Sequence, residues 1–188
     1  MSKQIQRIAI IGNAGSGKST LAQKLHEIAK LPVYHLDKYF WKPNWVQRDP
    51  GEYKVMHDEL SQRDAWIMDG MNLRLLESRI ARADIIIFLD MPRRTCFWRI
   101  YKRLFKYYGR VTPSGAEQCP EKITWQFVKF MKWVWDFKKK YPPRIMELLD
   151  AANQKEFYVL RSTQEVEQFI EKLQNVFNTP PPLGLLDQ

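Results

Sequence analysis

The sequence has little cysteine and no long apolar run, and each shortage narrows the class of protein. Its two cysteines, Cys96 and Cys119, lie far apart and form no C-x-x-C pair. They predict neither a disulfide framework nor a zinc site, and they fit a reducing compartment. No segment approaches the roughly 20 apolar residues that a membrane-spanning helix needs. The short apolar run near the N-terminus stops at Gly12, which argues against a signal peptide. We therefore expect a cytoplasmic protein without a membrane partner.

Acidic residues are outnumbered by basic ones, and the excess is concentrated in one part of the chain. The 188 residues carry a formal net charge of +9. Residues 91–144 contain 14 Lys and Arg against three acids, so this segment carries +11 and the remainder about −2. A basic surface of this kind attracts polyanions in general. It therefore does not distinguish the phosphates of a nucleotide from the backbone of a nucleic acid.

Glycine is also scarce, yet three of the eight glycines fall in one short motif. The stretch GNAGSGKST has the P-loop spacing G-x-x-x-x-G-K-[ST], and it lies between an apolar run and a predicted helix. The loop N–H groups then form an anion-binding nest at a helix N-terminus. Lys18 is placed to reach the β- and γ-phosphates, and the Ser19 hydroxyl to ligate Mg²⁺. An ordinary Gly/Ser-rich turn is the disfavoured alternative. The predicted nucleoside-triphosphate-binding residues are Gly12, Asn13, Ala14, Gly15, Ser16, Gly17, Lys18, Ser19 and Thr20.

Short apolar runs alternate with helical patterns along the whole chain. Strands are predicted over residues 5–11, 33–36, 66–68, 85–89 and 157–160. Helices are predicted over residues 18–30, 52–62, 73–80, 93–108, 121–140, 144–151 and 163–176. This alternation is typical of an α/β protein with a five-stranded parallel sheet. We expect one domain over residues 1–177 with a helical lid insertion over about 104–143, followed by a flexible proline-rich tail over 178–188. Ligands of such sheets bind at the carboxyl ends of the strands, where Asp37, Asp69 and Asp90 are predicted to lie.

Several segments recur in this order in a known group of proteins. They are Gly12–Thr20, Leu36-Asp37 with the stretch W-K-P-N-W at 41–45, Asp69-Gly70, F-L-D-M-P-R at 88–93, and C-P-E-K at 119–122. The chain resembles the bacterial P-loop proteins named DNA-topology-modulation proteins, which are similar in fold to adenylate and shikimate kinases. The resemblance implies a P-loop NTPase of the nucleotide-kinase type that binds ATP with Mg²⁺. The name of the group reflects a genetic effect, so the resemblance leaves the phosphoryl acceptor open.

The resemblance also assigns roles to carboxylates near the predicted P-loop. Asp69 is the candidate that orients Mg²⁺ through water, together with Ser19, although Asp-Gly also forms ordinary turns. Asp37 corresponds to the position where shikimate-type kinases hold the acceptor or its proton, and helix capping is its equal alternative. Asp90 is expected to cap the following helix rather than to catalyse. His35 is expected to be structural rather than a general base.

Cationic and aromatic residues complete the predicted site. Arg99 and Arg103 are four residues apart and share one helix face. In the adenylate-kinase-like pattern, such arginines at the start of the lid bind phosphates. The alternative is that Arg99 and Arg103 belong to a solvated basic face. For Lys138 to Lys140 the solvated face is the favoured interpretation. Arg74 follows Asp69-Gly70 at a distance similar to that of the acceptor-binding arginine of nucleoside monophosphate kinases. Trp41 and Trp45 either form a wall for the acceptor or simply pack.

The sequence favours an ATP-dependent kinase with Lys18, Asp37, Asp69, Arg99 and Arg103 as its catalytic residues and a small-molecule or nucleotide acceptor. The alternative is a nucleotide-regulated, nucleic-acid-associated protein that affects DNA topology, because the basic segment also contains Trp, Phe and Tyr. A GTPase switch is poorly supported, since residues 153–156 do not match N-K-x-D. The oligomeric state is not predicted.

Overall fold

A computed structural model describes residues 5–152 and 155–178. Their strands are β1 (Arg7–Gly12), β2 (Val33–His35), β3 (Trp41–Lys42), β4 (Val46–Gln47), β5 (Trp66–Asp69), β6 (Ile85–Leu89) and β7 (Glu156–Leu160). Five of these strands form one parallel sheet in the order β2-β5-β1-β6-β7. Strands β3 and β4 pair antiparallel in a separate hairpin. The predicted five-stranded parallel sheet is therefore confirmed.

Helices connect the strands of the sheet. They are α1 (Lys18–Ala29), α2 (Leu36–Phe40), α3 (Pro50–Gln62), α4 (Leu76–Arg82), α5 (Arg93–Lys106), α6 (Trp125–Lys140), α7 (Pro142–Ala151) and α8 (Thr163–Asn178). Short 3₁₀ turns occupy Pro43–Trp45 and Leu73–Leu75. Helix α6 begins later than predicted, because the Thr124 side chain accepts a hydrogen bond from the Phe127 N–H and caps the helix.

The central strand β1 is buried on both faces, as its nearly continuous apolar sequence predicts. Ile8 and Ile10 belong to a core cluster with residues of α1, α5, α6 and α8, whereas Ala9 and Ile11 belong to a second cluster with residues of α3, α4, α6 and α7. Helix α6 contributes residues to both clusters and is therefore part of the core. Among the helices described, none combines the length and apolar character that a bilayer span requires.

Two further local predictions differ from the structure. The segment 41–45, for which neither strand nor helix is predicted, contains a strand at Trp41 and Lys42, which pair with Gln47 and Val46, and a 3₁₀ turn at Pro43–Trp45. Asp37 lies inside helix α2 rather than at the end of β2, which stops at His35. The predicted tail lies outside the described residues from position 179 onward. The lid over about 104–143 remains a prediction.

Candidate active site

The loop between β1 and α1 has a backbone that only glycine adopts easily. Gly12, Gly15 and Gly17 have φ values of +145°, +72° and +103°. A Cβ on Gly12 would lie 2.6 Å from the main-chain oxygen of Leu89, and a Cβ on Gly15 would lie 2.4 Å from that of Cys96. Positive φ and close backbone approach thus both require glycine here. The loop leads directly into the N-terminus of α1, where free N–H groups and the helix dipole favour anions.

Two of the predicted phosphate- and metal-binding side chains follow this loop. Lys18 Nζ donates a hydrogen bond to the main-chain oxygen of Asn13 over 2.8 Å. Burial lowers the pKa of Lys18, and the nearby carboxylates of Asp37 and Asp69 oppose that shift. Ser19 Oγ donates to Asp69 Oδ2 over 2.6 Å. The structure therefore brings Ser19 and Asp69 together, and their hard oxygen atoms are of the kind that Mg²⁺ prefers.

Asp37 lies beside the same charged groups. Desolvation raises the pKa of Asp37, whereas the charges of Lys18, Arg103 and His35 lower it. Asp37 is nevertheless an exposed residue. Solvent therefore moderates the effect of the surrounding protein on this pKa. An exposed carboxylate among cations is accessible to a polar molecule that enters the site.

Arg99 and Arg103 occupy different places although they share helix α5. Arg99 Nη1 donates to the main-chain oxygen of Ser16 over 2.8 Å, and its Nη2 donates to Thr163 Oγ1 over 3.0 Å. Arg103 lies close enough to Lys18 and Asp37 to influence the pKa of both. Its Nε lies 2.9 Å from Glu121 Oε1. Both arginines thus lie next to the P-loop rather than on a purely solvated face.

Trp45 belongs to a clasp between two distant segments. We call the contacts of residues 42–45 with 118–120 the hairpin clasp. Trp45 Nε1 donates to the main-chain oxygen of Pro120 over 3.0 Å, and the Asn44 N–H donates to that of Gln118 over 3.0 Å. Cys119 Sγ lies 3.3 Å from the main-chain oxygen of Lys42. The hairpin clasp therefore joins the W-K-P-N-W and C-P-E-K segments.

The backbone at the hairpin clasp is strained. Asn44, Trp45 and Gln118 have φ values of 60°, 62° and 54°, in the left-handed region that disfavours residues with a side chain. In this conformation Trp45 and Gln118 each raise the free energy of the fold by roughly 1–2 kcal/mol, whereas asparagine adopts it more readily. Trp41 and Trp45 contact each other edge to face, with ring centroids 5.6 Å apart. Strain of this kind persists only where the surrounding contacts impose it.

Three expectations about charged residues need correction or placement. Asp90 does not cap α5, since no side chain bonds the N-terminal residues of that helix. Instead Asp90 Oδ1 lies 2.5 Å from Lys138 Nζ, so Asp90 links β6 to α6, and the expectation of a solvated Lys138 is wrong. Arg74 is exposed on the 3₁₀ turn that follows β5, where its N–H donates to Asn72 Oδ1.

Sequence reasoning missed Arg79, a fully buried arginine behind the site. Its Nη2 donates to the main-chain oxygen of Gly70 over 3.0 Å, and its Nε and Nη1 have no hydrogen-bond partner. Burial lowers the pKa of Arg79 to about 10, and Tyr53 and Asp69 oppose the shift. The sequence did contain a signal for its burial. Arg79 shares one helix face with Leu76 and Ile80, and both of these neighbours are apolar.

Comparison of the sequence with known proteins finds a distant relative but assigns no family. No protein-family model matches the chain. The uncharacterized protein YqaC of Bacillus subtilis (strain 168) is 26% identical over 132 residues, which cover 68% of this chain and 70% of that protein. The resemblance to the DNA-topology-modulation group therefore stays a hypothesis.

Three solved structures share the architecture. A shikimate kinase from Acinetobacter baumannii in complex with shikimate has a TM-score of 0.61 at 15% identity, covering 92% of this chain and 93% of that one. A deoxyadenosine kinase from M. mycoides with bound dCTP has a TM-score of 0.52 at 15% identity, covering 90% and 99%. A sugar kinase from Janibacter sp. has a TM-score of 0.52 at 13% identity, covering 92% and 94%. The chain therefore has the fold of P-loop kinases.

Proposed function

We propose that this chain is an ATP-dependent kinase that transfers the γ-phosphoryl group of ATP to a small-molecule or nucleotide acceptor. The observation that carries the proposal is the convergence of Lys18, Ser19, Asp69 and Asp37 at one edge of the sheet. Lys18 and Ser19 follow β1, Asp69 ends β5, and Asp37 follows β2. Ser19 and Asp69 are in direct contact, and Lys18 lies near both carboxylates.

The triphosphate end of the site has the groups that phosphoryl transfer requires. The loop N–H groups, Lys18, Arg99 and Arg103 supply positive charge toward the phosphates of ATP. Ser19 and Asp69 would hold Mg²⁺, with Asp69 acting through water. When bound, Mg²⁺ neutralises charge on the β- and γ-phosphates. The preference for ATP over GTP rests on the resemblance described above.

We assign the acceptor end of the site to Asp37 with Trp41, Trp45 and Arg74. Asp37 holds the acceptor hydroxyl and takes its proton as the new oxygen–phosphorus bond forms and the bond to the β-phosphate bridging oxygen breaks. A base whose pKa is raised toward the working pH performs this step better than an ordinary carboxylate. In this proposal Trp41 and Trp45 would offer apolar surface to the acceptor, and Arg74 would offer a cation to an anionic acceptor.

The test is phosphoryl transfer by Lys18→Ala. We expect this variant to lose ATP turnover while its melting temperature stays that of the native protein. The matched control is Lys24→Ala, since Lys24 is an exposed lysine of the same helix. Turnover is measured with radiolabelled ATP against a panel of nucleosides, nucleotides and hydroxylated metabolites. Full activity in Lys18→Ala would overturn the proposal.

A second candidate function is supported by the outer surface of the basic segment. Trp98, Phe105 and Trp125 are 69%, 77% and 71% exposed. Exposed cations of the same two helices are Arg94, Lys102, Lys106, Lys129, Lys132 and Lys139. Stacking aromatic rings among cations suit single-stranded nucleic acid. Titration of a labelled oligonucleotide in a salt series tests this, and a Kd weaker than about 1 µM at physiological salt would leave only non-specific binding.

A further inference from the structure

Both carboxylate oxygens of Asp69 are occupied by side chains from different elements. Ser19 Oγ, on α1, donates to Oδ2 over 2.6 Å. His35 Nδ1, at the end of β2, lies 2.5 Å from Oδ1. The side chain of Asp69 is only 4% exposed, and that of His35 is 16% exposed. Because a carboxylate accepts but does not donate, we assign a proton to His35 Nδ1, which donates it to Asp69 Oδ1.

The sheet itself imposes the contact between His35 and Asp69. These residues are direct partners in the parallel pairing of β2 with β5. The chain after each strand is also held close, since a Cβ on Gly70 would lie 2.7 Å from the Cβ of Leu36. Arg79 binds the main-chain oxygen of Gly70 from behind. The backbone that carries Asp69 is therefore fixed on three sides, and only the rotation of its carboxylate is left to the side-chain contacts.

We infer that His35 is a positioning residue that orients the Asp69 carboxylate toward Mg²⁺; this rests on the proposed function, which assigns Mg²⁺ to Ser19 and Asp69. Mg²⁺ demands near-ideal octahedral geometry, so a small rotation of a carboxylate that binds its waters weakens the site. Hydrogen bonds to such carboxylates set their orientation, and their loss typically weakens metal binding or activity 10–100-fold. His35 supplies this bond on Oδ1, which leaves Oδ2 facing Ser19.

The positions of the donor atoms provide a discriminating set of variants. The side-chain nitrogen of asparagine follows Cγ, as Nδ1 of histidine does, so His35→Asn keeps a donor near Asp69 Oδ1. The nitrogen of glutamine lies one bond farther out, so His35→Gln moves the donor away, and His35→Ala removes it. The control is His26→Ala. His26 lies in the last turn of α1, away from the P-loop, and its Nδ1 also has a close partner, the main-chain oxygen of Leu31.

Calorimetric binding of a non-hydrolysable ATP analogue, with and without Mg²⁺, tests the inference independently of phosphoryl transfer. We expect His35→Ala to weaken the Mg²⁺-dependent part of analogue binding about 10–100-fold while binding without metal stays unchanged. His35→Asn should recover most of the loss and His35→Gln little of it. Equal losses with and without Mg²⁺, or no difference between Asn and Gln, would overturn the role of His35.

The same measurements separate this inference from the kinase proposal. If the protein binds the analogue with the expected Mg²⁺ dependence but transfers phosphate to no acceptor, the kinase proposal fails and the role of His35 stands. Should His35→Ala fail to fold, the comparison of His35→Asn with His35→Gln still decides the inference, because both variants keep a polar side chain of suitable size.

Discussion

Asn13 Nδ2 donates a hydrogen bond to the main-chain oxygen of Val134 over 2.9 Å, and both residues are buried. This contact joins the second residue of the P-loop to the middle of helix α6, which is 121 positions away in the sequence. Val134 also belongs to the core cluster that contains Ile8 and Ile10. The P-loop is therefore held by a hydrogen bond to α6, a helix that is itself part of the core.

Loss of this contact should destabilise the protein. We expect Asn13→Ala to lower the free energy of unfolding by about 1–2 kcal/mol, because it removes a buried hydrogen bond. Urea denaturation followed by circular dichroism measures the change. Gln23→Ala, at an exposed position of α1, should change the same quantity by less than about 0.5 kcal/mol. Equal stability of Asn13→Ala and the parent protein would show that the bond contributes nothing.

Replacement of Gly15 by alanine should distort the loop. The new Cβ would combine the left-handed φ of 72° with a contact of 2.4 Å to the main-chain oxygen of Cys96. We expect these two effects together to lower the free energy of unfolding by about 3 kcal/mol. Gly109→Ala is the matched control, because Gly109 has a φ of +71° but nothing within 4 Å of its added Cβ. The free energy of unfolding of Gly109→Ala should fall by only about 1 kcal/mol. Similar losses in thermal or urea denaturation would refute a steric role for the loop.

Arg99 should contribute to nucleotide binding through the P-loop. Its two donors bind Ser16 and Thr163, so its charge is held next to the loop. We expect Arg99→Ala to weaken binding of the non-hydrolysable ATP analogue about 10–100-fold, in line with hydrogen bonds from a charged group. Lys102→Ala removes an exposed cation of the same helix and should change the Kd less than about twofold. If both variants bind alike, Arg99 belongs to an ordinary basic face.

His57 should make the stability of the fold depend on pH. It is 1% exposed, and burial, followed by the charge of Arg79, lowers its pKa to about 4 from 6.5. Between these two pKa values the unfolded chain binds more protons than the native protein, so stability falls as the pH falls from 6.5 toward 4. The expected contribution of this group is a loss of about 2 kcal/mol between pH 7.5 and 5.

Urea denaturation at pH 7.5 and pH 5 measures this effect. The variant His57→Gln keeps a polar side chain that does not titrate, so the difference in stability between the two pH values should shrink by about 2 kcal/mol relative to the parent protein. An unchanged pH dependence in His57→Gln would mean that other groups account for the acid sensitivity. His26→Gln serves as the control for removing a histidine in general.

Much of the fold could be predicted because its signals are local. The strand over Ile85–Leu89 is a run of five apolar residues, and its predicted bounds agree with the structure. The P-loop is readable because its spacing and flanking elements are continuous in sequence. By contrast, helix α2 was not predicted at all, since a helix of five residues has too few turns to produce a periodic pattern.

The candidate site was only partly predictable. Ser19 and Asp69 were both expected near Mg²⁺, and their contact agrees with that expectation without testing the role itself. The pairing of His35 with Asp69 depends on the register of β2 against β5, which no local pattern specifies. Arg79 was missed because a single charged residue within an apolar helix face is ordinarily placed on the surface.

The sequence by itself determined the order of the five sheet strands and the longer helices, the glycine-dependent loop, and the polar residues near the carboxyl ends of the strands. These features follow from hydrophobic periodicity and backbone stereochemistry, which act over a few residues. Tertiary structure decided the pairing of Asp69 with both Ser19 and His35, the clasp of Trp45 on Pro120, and the support of Asn13 by Val134. Those contacts join residues that are 34 to 121 positions apart, so only strand register and helix packing bring them together.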